Sequence, residues 1–348
     1  MDEGLVVIGI DAHKRTLTAA VCDERGRELA RRTTGTSSSD HLALLSWARR
    51  FGEERRFAVE DCRHLSRRLE RDLLHAGERI VRVPPKLMAP ARDGARSYGK
   101  WDAIDALAVA RAALREPRLP VARLEGEERE LRLLVDHRED LVCERTRAIN
   151  RLRWHLHELD PELELPRGSL RRLSTLERLQ TVLGQADGIV ARIARELLER
   201  AHELTLQIKT LEKEIAALVE RLAPSLLTIV GCSFLTAAKI VGKTAGIKRF
   251  HSPDAYARHN GTAPPPVSSA GIQRHRLSRS GNRQLNAALY RIALTQTQWH
   301  PDAKTMIARR RAQGDSPREA LRVLKRRLSD VVYQALLTDT QTQPQAAT

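Results

Sequence analysis

Leu5-Val6-Val7-Ile8-Gly9-Ile10-Asp11 is an unbroken apolar run closed by a carboxylate, the pattern of a buried strand that delivers an acid at its end. Working outward, residues 16–22 and 28–34 read as two further strands, with Asp23-Glu24-Arg25-Gly26 as the turn between them. The chain therefore opens as a three-strand meander. Gly35-Thr36-Ser37-Ser38-Ser39-Asp40 supplies a polar linker and a cap ahead of a helix carrying Leu42, Leu44, Leu45 and Trp47. A second acid-ended strand follows at Phe57-Ala58-Val59-Glu60. After it come a helix through Leu65, Leu69, Leu73 and Leu74 and a strand over 79–83 that Pro84-Pro85 stops.

Three meander strands followed by alternating helix and strand is the order of the ribonuclease H-like fold, an α/β domain with a mixed sheet and helices on both sides. In such a sheet the first strand is central and the fourth lies beside it, which makes Asp11 and Glu60 neighbours. Lys100-Trp101-Asp102-Ala103-Ile104-Asp105-Ala106 then opens a run with helical spacing, so Asp102 and Asp105 leave one helical face. An acid at a strand end also makes turns, and one at a helix start also caps it. Four of them gathered together would repel by several kcal/mol unless cations sat between them, which is the composition of a magnesium site rather than of a core. The chemistry expected of such a site is Mg2+-dependent phosphoryl transfer.

The totals point to a polyanionic partner. Among 348 residues, 60 Lys plus Arg face 44 Asp plus Glu, a formal net charge of +16. Aromatic residues make up only 3%, too few for platforms on which unpaired bases stack, so contacts to backbone and groove shape are expected to dominate. Lys86, Arg92, Arg96 and Lys100, in a segment rich in Pro and Gly ahead of the acidic pair, are candidates to hold a phosphate backbone. Arg274, Arg276, Arg279 and Arg283 form a second basic run. Cys22, Cys62, Cys143 and Cys232 have no paired short spacing, which argues against both a zinc site and a disulfide framework. No apolar run reaches the roughly 18 residues of a membrane span, and Met1 is followed by two acids and a strand instead of a leader. A cytoplasmic protein with no membrane partner is expected.

The domain reading is 1–118 for the acid-bearing α/β domain, 119–223 for a helical, coiled-coil domain, 224–340 for a mostly helical C-terminal domain, and 341–348 for a disordered tail. From Val190 a heptad holds, with Val190, Leu197, Leu204, Leu211 and Leu218 at one core position and Ala194, Ala201, Ile208, Ile215 and Leu222 at the other. That seam fits either an antiparallel hairpin within one chain or a homo-oligomer, a dimer or tetramer. Residues 227–238 read as helix, glycine turn, helix, resembling the helix-hairpin-helix modules whose turn amides approach phosphates. The stretch 259–282 reads as a rigid Pro/Ser/Gly loop presenting hydroxyls beside the basic run, an arrangement that puts a serine nucleophile against phosphate with arginines to absorb charge. Ser316-Pro317-Arg318-Glu319 is a capping box for a last amphipathic helix through Leu321, Leu324, Leu328, Val331, Val332 and Leu336, with a Gln/Thr/Pro tail from Asp339.

Taken together, Asp11, Glu60, Lys100-x-Asp102-x-x-Asp105-Ala106, the heptad, Ile229-Val230-Gly231, Gly261-x-Ala263-Pro264, Ser269 and Ser280-Gly281-Asn282 resemble the DEDD transposases of the one-ten family of insertion sequences. The resemblance runs over nearly the whole chain. It implies a DNA recombinase with a RuvC-like domain and a C-terminal transposase domain, acting on double-stranded donor and target DNA with a bridge RNA that pairs to both. By position it implies that Asp11, Glu60, Asp102 and Asp105 hold Mg2+ and that Ser269 attacks the backbone to form a phosphoserine link. Two residues depart from the family pattern. Ala270 stands where glycine usually follows the nucleophile, which keeps Ser268 as the alternative, and Ser280 replaces the usual basic residue before Gly281-Asn282. The other classes in view are a RuvC-like metal-dependent junction endonuclease without a covalent step and a non-catalytic nucleic-acid-binding protein.

Overall fold

The computed structural model describes residues 4–88, 102–117, 119–123, 126–269, 272–275 and 281–342, and the chain divides into two compact units, 1–124 and 125–348. The first unit is built on a five-stranded sheet of β1 (Val6–Ala12), β2 (Leu17–Cys22), β3 (Glu28–Thr34), β4 (Arg55–Glu60) and β5 (Ile80–Val83), in the order β3-β2-β1-β4-β5. β1 runs antiparallel to β2 and parallel to β4, and β4 runs parallel to β5. The sheet is mixed, as the order of elements predicts, with β1 at its centre and β4 beside it.

Alternation along β1 feeds two cores. Val6, Ile8 and Ile10 pack with Leu44, Leu45 and Trp47 of α1 (Ser38–Ala48) and with Leu69 and Leu73 of α2 (Arg63–His75). On the other face Val7, Ala58, Val81 and Val83 pack with Ala108, Val109, Ala112 and Ala113 of α3 (Asp102–Arg115). A strand covered on both faces has no polar alternation to show, which is why β1 reads as a continuous apolar run. The first helix starts where its sequence says: the Ser37 hydroxyl accepts from the Asp40 amide at 3.2 Å, and the Ser37 amide donates to the Asp40 carboxylate at 3.0 Å.

The second unit is almost wholly helical. α4 (Glu127–Leu159), α5 (Leu173–Gly184) and α6 (Ile189–Leu222) precede the short α7 (Pro224–Leu227), then α8 (Phe234–Thr244) and α9 (Pro253–His259). After a two-stranded hairpin, β6 (Pro266–Ser269) with β7 (Ile272–His275), come α10 (Arg283–Trp299), α11 (Pro301–Ala312) and α12 (Pro317–Thr342). α4 and α6 lie antiparallel, since Arg138 meets Glu212 at 2.5 Å, Arg200 meets Glu144 at 2.6 Å and Arg221 meets Glu127. Of the two alternatives for the heptad, the seam within one chain is present: Ala194 and Ala201 bury against Ile149 and Leu152, Ile208 against Leu141, and Ile215 against Leu131 and Val135. That last cluster also takes in Ile240, Leu289, Leu328 and Val332, so one core joins the helical hairpin to the C-terminal helices.

Two local readings are corrected. The stretch expected as a serine loop contains the β6–β7 ladder, pairing Pro266 with His275 and Ser269 with Ile272. Strands of four residues, the first starting at a proline and ending in serines, carry too little periodicity to announce themselves. The tail expected from Asp339 is helical through Thr342, because Asp339 is buried and accepts a hydrogen bond from the Ser225 amide at 3.2 Å. Residues 343–348 of that tail lie outside the described residues. The capping box at the start of α12 is formed, with the Ser316 hydroxyl 2.6 Å from the Glu319 carboxylate and accepting from the Glu319 amide at 3.3 Å.

Candidate active site

The register of the sheet brings two of the four acids together. Ile10 and Val59 are Cα partners across β1 and β4 and belong to the core under α1 and α2. Asp11 and Glu60 are the next residues on these parallel strands, so both turn to the α3 face, where Glu60 also pairs with Val83 of that side's core. Asp11 is only 5% exposed, deep for a carboxylate.

α3 crosses this face with its N-terminal turn toward the two acids. Gly9 lies directly beneath it: a Cβ there would stand 2.2 Å from the Ala106 carbonyl oxygen and 2.4 Å from the Ala110 amide nitrogen. Further along the helix, the Arg111 guanidinium donates to the Gly26 carbonyl at 2.9 Å, in the turn just after Cys22, whose strand partner is Val7. The helix therefore descends toward the start of β1, and its opening turn lies at the strand end that carries Asp11. Asp105, half-buried, immediately precedes Ala106, and Asp102 opens the helix one turn earlier. The Asp102 side chain lies outside the described residues.

A neighbouring thiol senses the first two charges. Cys62, two residues beyond Glu60, is pushed up from the ordinary 9.0 to about 11, first by burial and then by the negative charges of Glu60 and Asp11. His13 is the contact that strand-end reasoning passes over: its Nε2 stands 3.1 Å from Asp11 Oδ2. The available signal was its place two residues past the acid, in the tight turn where the His13 amide donates to the Thr16 carbonyl at 2.9 Å. Among the described residues no group of three or more His, Cys, Asp or Glu side chains is gathered closely enough to hold a metal ion. Asp11, Glu60 and Asp105 offer carboxylate oxygens only, the hard donors that suit Mg2+. The negative charges of Glu60 and Asp11 reach as far as Cys62 and would draw a cation, so the residues present fit the ion.

The other candidate site residues fall in several places. Ser268 and Ser269 end β6, paired with Gln273 and Ile272 of β7; their side chains, and that of Arg274, lie outside the described residues. Arg283 is exposed at the first turn of α10. The Lys86 side chain and the whole of Arg92, Arg96, Lys100, Arg276 and Arg279 lie outside the described residues. The glycine turn between α7 and α8 has Gly231 at φ +87° and, with Ser233, Thr236, Arg291 and Thr295, lines an open cleft of about 640 Å³. Its first helix is a single four-residue turn, shorter than the helix expected there. The four cysteines are free. Among the described residues no helix is long and apolar enough to cross a membrane.

Comparison with known proteins adds two family matches. The model DEDD_Tnp_IS110, described as a transposase, matches residues 8–161, and the model for the transposase IS116/IS110/IS902 family matches residues 223–308. The chain is 29% identical to the insertion element IS116 uncharacterized 44.8 kDa protein of Streptomyces clavuligerus, covering 95% of this chain and 94% of that one. It is 27% identical to the insertion element IS900 uncharacterized 42 kDa protein of Mycobacterium paratuberculosis, over 77% and 78% of the two chains. Among solved structures it matches T. thermophilus RuvC in complex with Holliday junction substrate at 19% identity and a TM-score of 0.27, over 34% of this chain and 99% of that one.

Proposed function

The chain belongs to the IS116/IS110/IS902 family of transposases, and from that premise we propose that it exchanges DNA strands through a serine–DNA ester and that Asp11, Glu60, Asp102 and Asp105 hold Mg2+. As a transposase it is a DNA-recombining enzyme. The observation that carries the finer reading is the register that sets Asp11 beside Glu60 under the opening turn of α3, within the segment matched by the DEDD model.

The division of labour follows from the groups themselves. Asp11, Glu60, Asp102 and Asp105 would hold Mg2+, which would supply positive charge to the phosphate being transferred. Asp11 and Glu60 come from rigid strand ends and Asp105 from a helix fixed against Gly9, so the acids arrive pre-oriented and need no rearrangement at the moment of reaction. Ser269 supplies the attacking oxygen. Its Oγ–P bond forms as the bond from phosphorus to a deoxyribose oxygen breaks, and the hydroxyl proton ends on that leaving oxygen. One phosphodiester is exchanged for another, so the reverse attack by a different DNA hydroxyl reseals the strand without an outside energy source.

Double-stranded donor and target DNA, a bridge RNA pairing to both, and a homo-oligomeric assembly complete the proposal. The net charge of +16 and the scarcity of aromatic residues support a duplex polyanion held by backbone and shape. Sequencing of RNA that copurifies with the protein tests the guide, and an RNA-free preparation with full exchange activity removes it from the proposal.

Labelled DNA trapped on the protein under denaturing conditions tests the chemistry. The parent is expected to form a covalent adduct in Mg2+ and none with a chelator. Ser269→Ala should keep DNA binding and lose the adduct, and Asp11→Asn should lose it through the metal. An adduct that survives Ser269→Ala and disappears in Ser268→Ala moves the nucleophile one residue. Cleavage with no adduct at all makes the protein a hydrolytic junction nuclease.

A further inference from the structure

The segment that carries Ser268 and Ser269 leaves the helical body after His259 and returns at Gly281. Both of its roots are tied down by polar contacts that the reaction does not use. Asn282 donates its amide to the His259 carbonyl at 2.7 Å, which closes the excursion at its base. Gly281, at φ +102°, presses on the entry root so closely that a Cβ would stand 2.8 Å from the Gly261 nitrogen. Asn260 is fully buried: its amide nitrogen donates to Ser329 of α12 at 2.7 Å, and its amide oxygen accepts from the Thr262 amide and hydroxyl at 3.1 and 2.7 Å.

Asn286, on the first turns of α10, is the hub. Its Nδ2 donates to the carbonyl oxygens of Asn260 and Gly261 at 3.0 and 3.1 Å, which requires its Oδ1 to point the other way, toward α12. There Lys325 donates to it at 2.6 Å. Lys325 is 9% exposed, and its ammonium lies 5.7 Å from the centre of the Tyr290 ring. A buried ammonium held by an amide oxygen and a ring, instead of by a carboxylate, is an expensive way to fill a core position. A methionine of similar length would fill it at lower cost. What methionine lacks is a donor, and a donor is what holds the Asn286 amide in the one orientation that grips the two adjacent carbonyls of the entry root.

We propose that Lys325, acting through Asn286, is a positioning residue that ties the entry root of the serine-bearing hairpin to α10, four residues past the return root at Asn282, and so sets where its hydroxyls stand relative to the DNA phosphate. The clamp itself is read from the second unit alone; its effect on chemistry rests on the serine nucleophile proposed above.

The test compares full-length Lys325→Met, Lys325→Arg and parent by three readouts: melting temperature, rate of covalent adduct formation, and hydrogen exchange of peptides spanning residues 260–275. Lys325→Met is expected to melt within about 3 °C of the parent, since losing a buried charge offsets losing its hydrogen bond. Its adduct rate should fall roughly tenfold to a hundredfold at unchanged DNA affinity, the scale on which displacing a reacting group slows attack. Exchange of residues 260–275 should quicken. Lys325→Arg restores a donor and should recover most of the rate and the protection. Parent rates and parent protection in Lys325→Met overturn the proposal, and so does an arginine variant as impaired as the methionine one. A parent that forms no adduct removes the serine chemistry instead; the exchange measurement then decides the clamp by itself, unchanged protection in Lys325→Met refuting it.

Discussion

At the scale of single residues, the site depends on a position with no side chain. Gly9 sits in the middle of the central strand, where glycine is ordinarily a weakness. Here it lets the Ala106 and Ala110 backbone of α3 come close enough to bring the helix start over Asp11 and Glu60. Gly9→Ala would drive a methyl group into backbone atoms at 2.2 and 2.4 Å, which neither the strand nor the helix can yield without moving. Overpacking of this kind costs about 1–3 kcal/mol or more. The loss is expected as a lower denaturation midpoint, with any folded fraction deficient in Mg2+-dependent cleavage because Asp102 and Asp105 move with the helix. Gly184, at the end of α5 with nothing within 4 Å of its added Cβ, is the matched control. Gly184→Ala should leave stability unchanged or raise it by about 0.4–1 kcal/mol through the lost freedom of the unfolded chain. Equal destabilisation by the two substitutions would contradict the close-approach role of Gly9.

At the scale of elements, α1 is pinned to α2 by a buried pair, His41 Nδ1 and Asp72 Oδ2 at 2.7 Å. Burial pushes the Asp72 carboxyl up, but hydrogen bonds from His41 and Ser38 and the charges of His41 and Arg71 outweigh it, leaving the group below its ordinary 3.8. A carboxyl depressed in the folded state contributes stability that is fully present above 3.8 and is lost as pH falls through its lower folded value. Asp72→Asn should therefore be less stable than the parent at neutral pH, with the gap in melting temperature closing in acid below that point. A gap that is the same at neutral and strongly acid pH would show that the carboxylate is not the source. These elements differ in how plainly the sequence announced them. β1, β4 and β5 were legible because a strand buried on both faces is a bounded apolar run, and α1 and α12 because Ser37 and Ser316 cap them. The β6–β7 ladder was not, since backbone pairing through Pro266, Ser268 and Ser269 leaves no apolar alternation. The end of α12 was hidden for another reason: Asp339 looks like solvated tail until the Ser225 amide gives it a buried partner. Residue type and strand-end position sufficed to set Asp11 and Glu60 next to each other on adjacent strands. The contact from His13 depends on turn geometry, and the Asn260–Asn286–Lys325 network on three segments far apart in sequence.

At the scale of the whole molecule, the charge of +16 is not all available to a partner. In the second unit many basic side chains are already paired across the helices: Arg138 and Arg200 close the α4–α6 hairpin, Lys243 holds Asp136 at 2.7 Å, and Lys239 holds Glu139. Arg145, between α4 and α6, is drawn below its ordinary value by burial and by the charges of Arg171 and Arg138, so this seam concentrates cations inward as well. Phosphate contacts must then come from a subset such as the exposed Arg283, and the salt dependence of binding counts them directly. Each phosphate neutralised releases condensed counterions, so log K falls with log salt at a slope of about −0.9 per contact. With roughly six to ten contacts, affinity for duplex DNA should drop about 10³- to 10⁵-fold between 50 and 200 mM salt. Arg283→Ala should lower the slope by close to one contact and weaken all DNA sequences alike, whereas Arg138→Ala should reduce stability and leave the slope where it was. An affinity that barely changes over this salt range, or a slope that Arg138 sets and Arg283 does not, would mean that the surface charge is not what holds the nucleic acid.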